Sequence, residues 1–127
     1  MSASHANHLR AGMQCFADGD YYHAHDHWEE VWLDEVGDEK TLMKALVQLA
    51  VALYHRERGN LAGTRKLLRR CGELLAPLPD RVLQMPVREL AGQALALLQE
   101  VDQQADQAEP RWDPALVPDF SPWLREP

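Results

Sequence analysis

Three times in the first sixty residues a glycine is followed at once by Asp or Asn, at Gly19-Asp20, Gly37-Asp38 and Gly59-Asn60. Glycine takes the left-handed conformation that closes a helix without steric cost, and the Asp or Asn behind it can accept hydrogen bonds from the free N–H groups of the next helix. Each pair reads as a stop followed by a start. The chain is thereby cut into successive helices, and connections this short make consecutive helices antiparallel neighbours.

The segments between these marks carry helical periodicity. Residues 4–18 form the first, with Ser4 as cap and Leu9, Met13 and Phe16 spaced for one buried face. The second runs from about Tyr21 to Glu35. The third, about Glu39 to Arg58, has apolar groups round nearly its whole circumference: Leu42, Met43, Leu46, Val47, Leu49, Ala50, Val51 and Leu53. Such a helix has to be covered on several sides, so it is expected at the centre. Behind Asn60 a fourth helix sets Leu61, Thr64, Leu67, Leu68, Cys71, Leu74 and Leu75 opposite Arg65, Lys66, Arg69 and Arg70. Gly63 costs about 1 kcal/mol against alanine there, so it is expected where two backbones approach closely.

Pro77, Pro79 and Pro86 mark a connector, with Pro86 expected as the first residue of a fifth helix bearing Val87, Leu90, Ala91, Ala94, Leu97, Leu98 and Val101. Beyond Gln104 the pattern dissolves. Pro110, Pro114, Pro118, Pro122 and Pro127 rule out a long helix, yet Trp112, Leu116, Val117, Phe120, Trp123 and Leu124 are too apolar for a solvated linker. The expectation is an all-α, single-domain bundle of about five helices over residues 1–106, with an extended Pro- and Trp-containing tail over 107–127 laid upon it. The alternative for the tail is a proline-rich peptide presented to a partner.

Composition narrows the function classes. Thirteen basic against twenty acidic residues, a net charge of −7, oppose general nucleic-acid binding, which needs a cationic surface. The charge is uneven: Asp20 to Glu39 holds eight acids and no Lys or Arg, whereas Arg56 to Arg81 is basic. The nearly apolar run Ala45–Tyr54, broken by Gln48, falls short of the roughly 20 residues that cross a bilayer. No membrane span is expected. Cys15 and Cys71 are too few for a disulfide scaffold, and the amino end lacks the layout of an export signal, which together point to a reducing cytoplasm. A Gly-rich phosphate loop, a dinucleotide fingerprint, a Cys-x-x-Cys pair and a nucleophilic Ser or Cys arrangement are all missing from the sequence, so no nucleotide cofactor is expected.

Residues 21–32 hold three of the six histidines and two of the four tryptophans. On a helix His25, Glu29 and Trp32 share a face, and His25 with Glu29 could chelate one ion. Antiparallel packing brings the start of the second helix beside the end of the third, near Tyr54 and His55. Gln48 lies on the same face as His55, and a primary amide in so apolar a helix demands a polar partner. The candidate metal set is therefore His25, Glu29, His55 and Gln48, for a divalent zinc, manganese, iron or nickel ion. The alternative is a metal-free hydrogen-bond network among the same residues. His23 and His27 point away from this face and are expected to be exposed, Asp26 and Glu30 could rim it, and Trp28 and Trp32 read as packing.

The motif His25, Glu29, Trp32, followed by Gln48-Leu49-Ala50-Val51-Ala52-Leu53-Tyr54-His55 and then Gly59-Asn60 and Gly63, resembles the bacterial and archaeal family known as domain of unknown function 309. The resemblance runs from about Phe16 to Leu75. It implies a small all-helical domain, a His-x3-Glu-x2-Trp motif suggested to bind metal, and no established activity. The chain departs from the pattern at His23 and Asp26, where the family commonly has glutamates, and a carboxylate lost at position 23 weakens a capping box with Asp20.

Two functions follow. One is a metal-binding protein, hydrolase-like if it is an enzyme at all, with Glu29 a possible general base assisted by Asp26 or Glu30. The other is a non-catalytic structural or protein-interaction module. A third idea uses Arg65, Lys66, Arg69 and Arg70 for an acidic partner, and aromatic residues in the tail suit a homodimer. The sequence names no small-molecule substrate.

Overall fold

The computed structural model describes residues 1–124, so Pro127, which belongs to the expected tail, lies outside it. The helices are α1 (Ala3–Ala17), α2 (Tyr21–Asp34), α3 (Gly37–Glu57), α4 (Leu61–Leu75), α5 (Val87–Gln104) and the short α6 (Ser121–Leu124). The all-α bundle of five main helices is borne out. α3 packs against both α2 and α4, while α1 covers α2 and α5 covers α4. Its apolar circumference has the expected consequence, for Leu42, Met43, Ala45, Leu46, Ala50, Ala52 and Leu53 are all buried.

The stop-and-start marks hold at two of three places. Gly19 and Gly59 have φ of +79° and +77°. Asp20 accepts from the His23 N–H at 3.2 Å, and Asn60 from the Gly63 N–H at 3.0 Å. His23 does not take over the missing glutamate's role as acceptor: its Nδ1–H donates to the other Asp20 oxygen at 2.7 Å, while the Asp20 N–H goes to the Cys15 carbonyl at 2.8 Å. At the third mark Gly37 has φ +64°, but Asp38 lies inside the first turn and Val36 stands at the cap position without a side-chain hydrogen bond. Ser2, not Ser4, caps α1, accepting from the His5 N–H at 3.1 Å. Pro86 precedes α5 as its cap residue. Gly63 also needs a correction: a Cβ there would meet the Asn60 amide at 2.7 Å and the His55 ring at 3.1 Å, so it leaves room for the cap and not for a second backbone.

Between α4 and α5 the chain makes a two-residue hairpin that periodicity does not reveal. β1 (Arg81–Val82) pairs antiparallel with β2 (Met85–Pro86). The turn residues Leu83 and Gln84 both take positive φ, 51° and 63°, the shape of a twisted hairpin turn that Gly or Asn usually marks. Buried Val82 and Met85 tie the hairpin to the core, which outweighs the poor turn residues. Arg88, one residue into α5, donates to the carbonyl of Leu75 at the end of α4 at 2.7 Å and to that of Leu78 in the connector at 2.8 Å.

The tail lies on the bundle with two helical turns in it, a 3-10 turn at Pro114–Leu116 and α6. Phe120 is its anchor. Only 1% exposed, it meets Phe16 edge-on at 5.1 Å and Trp28 at 5.6 Å between ring centroids. Arg10 of α1 donates to the carbonyls of Trp123 at 3.3 Å and Leu124 at 3.1 Å. A second tail contact closes over a charged pair. Arg56 and Glu100, both buried, stand 3.3 Å apart, with the guanidinium 4.8 Å from the Trp112 ring and the second Glu100 oxygen accepting from the Asp113 N–H at 2.7 Å. Burial pushes the Arg56 guanidinium down from its usual range, and Glu100 offsets part of that.

At the amino end of α1, His5 Nδ1–H donates to Glu35 at 2.5 Å and His5 Nε2 lies 3.5 Å from Asp34. The Glu35 hydrogen bond raises the His5 pKa against an opposing burial effect, and His5 holds Glu35 below the usual carboxylate range. The raised histidine stabilises the fold fully below its ordinary value of 6.5 and loses that contribution as pH climbs through its higher folded value. The depressed carboxylate contributes fully above its ordinary 4.5 and loses it as pH falls through its lower folded value. The difference in melting midpoint between the wild type and His5→Gln is therefore expected to be largest between those two values and to shrink on either side. A difference that stays the same from well below pH 4.5 to well above pH 6.5 would contradict the pairing.

Candidate functional site

Asp20 starts α2 so that its second turn faces the far end of α3. There Tyr22, His25, Val51, Tyr54 and His55 line an open cleft of about 200 Å³. The expectation that His25 comes beside Tyr54 and His55 is met at the level of the cleft. Its walls are rings in series: His25 and Tyr22 at 5.1 Å, Tyr22 and Tyr54 at 5.5 Å, Tyr54 and His55 at 6.2 Å between centroids. Tyr22 stands 49% exposed, so an aromatic face is left open to solvent where a core residue would have been covered.

His25 is fixed by its own helix. Its Nδ1–H donates to the Tyr22 carbonyl at 2.5 Å, which leaves the Nε2 lone pair free. Nε2 faces two carboxylates, Asp26 at 3.5 Å and Glu29 at 3.9 Å. The helical spacing of His25 and Glu29 thus does what the sequence expects, although the gap is wider than a hydrogen bond. Asp26 joins them because the imidazole swings towards its own sequence neighbour.

The other two residues of the candidate set behave differently. His55 lines the cleft, with Nδ1 at 3.4 Å from the Asn60 amide that caps α4. Gln48 is half-buried and stands outside the cleft lining, so its amide reaches water and has no need of the partner that a fully buried position would demand. Among the described residues no three His, Cys, Asp or Glu side chains converge as a donor set for a metal ion. A catalytic or structural zinc site takes three or four protein ligands at about 2.0–2.3 Å, and the residues present do not supply that on their own.

Trp28 is buried entirely, with its Nε1–H donating to the Leu9 carbonyl at 3.1 Å, while Trp32 is half-buried beneath the Lys44 ammonium at 5.5 Å from the ring centroid. His27, expected to be exposed, is half-buried against α1, with its Nδ1 3.0 Å from that of His8. α1 covers the flank of α2 that a lone helix would show to solvent. Of the basic face on α4, Arg65 is taken by Asp102 at 2.8 Å and Arg70 lies 3.9 Å from Glu73. The thiol of Cys71 is buried and pushed up to about 12, a packed group and not a nucleophile.

Two residues escaped the sequence reading. Arg56 and Glu100 look like members of ordinary charge runs, yet both are buried. The available signal for Glu100 was its place in the apolar stripe, three residues after Leu97 and beside Val101. Arg56 also lines a larger cleft, about 390 Å³, between the α3–α4 turn and the tail at Pro110 and Trp112.

The fold and this face define a small all-helical domain that displays a His, Glu and Trp motif on its second helix, beside a buried third. Residues 9–67 match the family model described as domain of unknown function (DUF309), in line with the resemblance drawn from the sequence. A curated protein of Bacillus subtilis (strain 168), the uncharacterized protein YpuF, is 40% identical over 53 residues, covering 41% of this chain and 30% of the relative. Neither description gives an activity. Among the described residues no helix is long and apolar enough to cross a membrane.

Proposed function

We propose that this chain is a non-catalytic interaction module whose working face is the α2–α3 cleft, and that the cleft takes the cationic side chain of an arginine or lysine from a partner. The observation that supports it is the pairing of an open ring wall with adjacent carboxylates. Two tyrosines and two imidazoles surround an unfilled space, and Asp26 and Glu29 stand at its His25 edge. A cation within about 6 Å of an aromatic centroid gains roughly 0.5–1 kcal/mol at an exposed site, and nearby carboxylates add charge attraction. Arg58, whose guanidinium lies 5.4 Å from the Tyr54 centroid, already uses that ring in this way. The surrounding stretch from Asp20 to Glu39 has eight acids and no Lys or Arg, which steers cations towards it and anions away.

On this reading the module works in the cytoplasm, does not bind nucleic acid, and as a homodimer would present two clefts. The test is calorimetric titration of the full chain with an arginine-containing peptide, beside Tyr22→Ala and Glu29→Gln variants. Saturable binding that weakens severalfold in both variants supports the reading. Affinity unchanged in both removes it.

A second reading, a divalent metal ion held at His25 and Glu29, is favoured by one observation. A metal-ligating imidazole commonly donates its other N–H to a carbonyl, as His25 does to Tyr22. His25 and Glu29 would then be the protein donors, and a partner or solvent would supply the rest. Elemental mass spectrometry of untagged protein beside His25→Ala and Glu29→Ala separates the two: near-stoichiometric metal lost in both variants supports the metal reading, and metal-free protein that takes up none on titration removes it.

A further inference from the structure

Away from that cleft, α1 and α2 bring two imidazoles together. His8 and His27 are both half-buried, their Nδ1 atoms 3.0 Å apart and their ring centroids 5.3 Å apart. We propose that His8 and His27 form an interhelical two-histidine clamp for a divalent transition-metal ion of the copper(II) or nickel(II) class, with water completing the coordination. The geometry selects the class. With metal–nitrogen bonds of about 2.0–2.1 Å, two nitrogens 3.0 Å apart subtend roughly 90–100° at the ion. That is the bite of square-planar or tetragonal coordination, whereas tetrahedral zinc needs the rings to part further.

The protons balance without an acid or base. Between neutral rings one Nδ1–H donates and the other Nδ1 accepts. When an ion takes both lone pairs, the donor ring moves its proton to Nε2 through solvent, and no net proton leaves. Of the other histidines on these helices, His5 is engaged with Glu35 and Asp34 and His23 with Asp20, whereas His25 keeps its Nε2 lone pair and is the competitor that the test has to separate. Because the two ligands come from different helices, the ion binds only where α1 lies against α2. Binding therefore stabilises that pairing by mass action.

The test is an NMR titration of untagged full chain with copper(II) in a non-coordinating buffer, reading the paramagnetic broadening of assigned imidazole resonances. The expected result is that the His8 and His27 signals vanish first, at sub-stoichiometric ion. In a parallel calorimetric titration with nickel(II), affinity is expected to fall at least tenfold in His8→Gln and in His27→Gln and to change less than twofold in His25→Ala. Broadening that starts at His25 or at the chain's amino terminus overturns the clamp. So does unchanged affinity in the His8 or His27 variants. The broadening is read on the wild-type fold, so the result does not depend on any variant folding, and loss confined to His25→Ala would mark the second reading above instead.

Discussion

Glu100→Ala is expected to destabilise the fold by about 3–5 kcal/mol, because it leaves the Arg56 guanidinium buried without its counter-charge. Arg56 is 8% exposed, its Nε already has no partner, and Trp112 covers its face at 4.8 Å, so it has little freedom to move out to water. The same change removes the acceptor of the Asp113 N–H and loosens the start of the tail's 3-10 turn. Replacing both partners, Arg56→Met with Glu100→Leu, is expected to cost much less, since the desolvation of two charges disappears with their attraction. Urea unfolding of the wild type, the single variant and the double variant measures this. A Glu100→Ala loss below about 1 kcal/mol, or a double variant as unstable as the single one, would show that the pair is effectively solvated.

Gly12→Ala should destabilise by about 3 kcal/mol or more, with the sign opposite to that of helix propensity. In an open helix interior the change gains about 1 kcal/mol. At Gly12, however, a Cβ would lie 2.3 Å from the Trp28 Nε1 and 2.5 Å from the Cδ1. The indole has nowhere to retreat: it is fully buried, hydrogen-bonded to the Leu9 carbonyl, and backed by Phe16 and Phe120. Overpacking of this kind typically costs about 1–3 kcal/mol, and losing the indole hydrogen bond adds to it. Gly92→Ala, in α5 with nothing within 4 Å of the new methyl, is the control and should be stabilising by about 0.4–1 kcal/mol. If both alanines shift the melting midpoint the same way, the close approach of α1 to Trp28 is wrong.

The helices were legible because their punctuation and burial are local or periodic properties. Gly19-Asp20 and Gly59-Asn60 act through hydrogen bonds three residues away, and the all-round apolarity of α3 has no solution but burial. What escaped was decided by distant partners. Arg56 and Glu100 are 44 positions apart, and nothing in either neighbourhood says that Trp112 will close over them. The Leu83-Gln84 turn is held by Val82 and Met85 in the core, so its residues give no turn signal. Gly12 carries no mark in the sequence either, since its need for an absent Cβ comes from α2. At the site, the face shared by His25 and Glu29 and the approach of α3 were readable from the 3.6 period and the short connection. Asp26 was readable as a rim residue, but its closeness to the His25 ring was not, and neither was the role of Gln48, because these depend on which way one imidazole turns and how deeply one amide is buried.

The central claim, that the ring-walled α2–α3 cleft is a binding site for a cationic side chain, is tested most directly by following the aromatic proton resonances of Tyr22 and Tyr54 during titration with an arginine-containing peptide. Saturable shifts of both rings, with those of Trp32 and Phe120 unmoved and the effect reduced by raised salt, are the predicted result. Tyr22 and Tyr54 resonances that stay fixed while the peptide binds elsewhere, or does not bind, would contradict it.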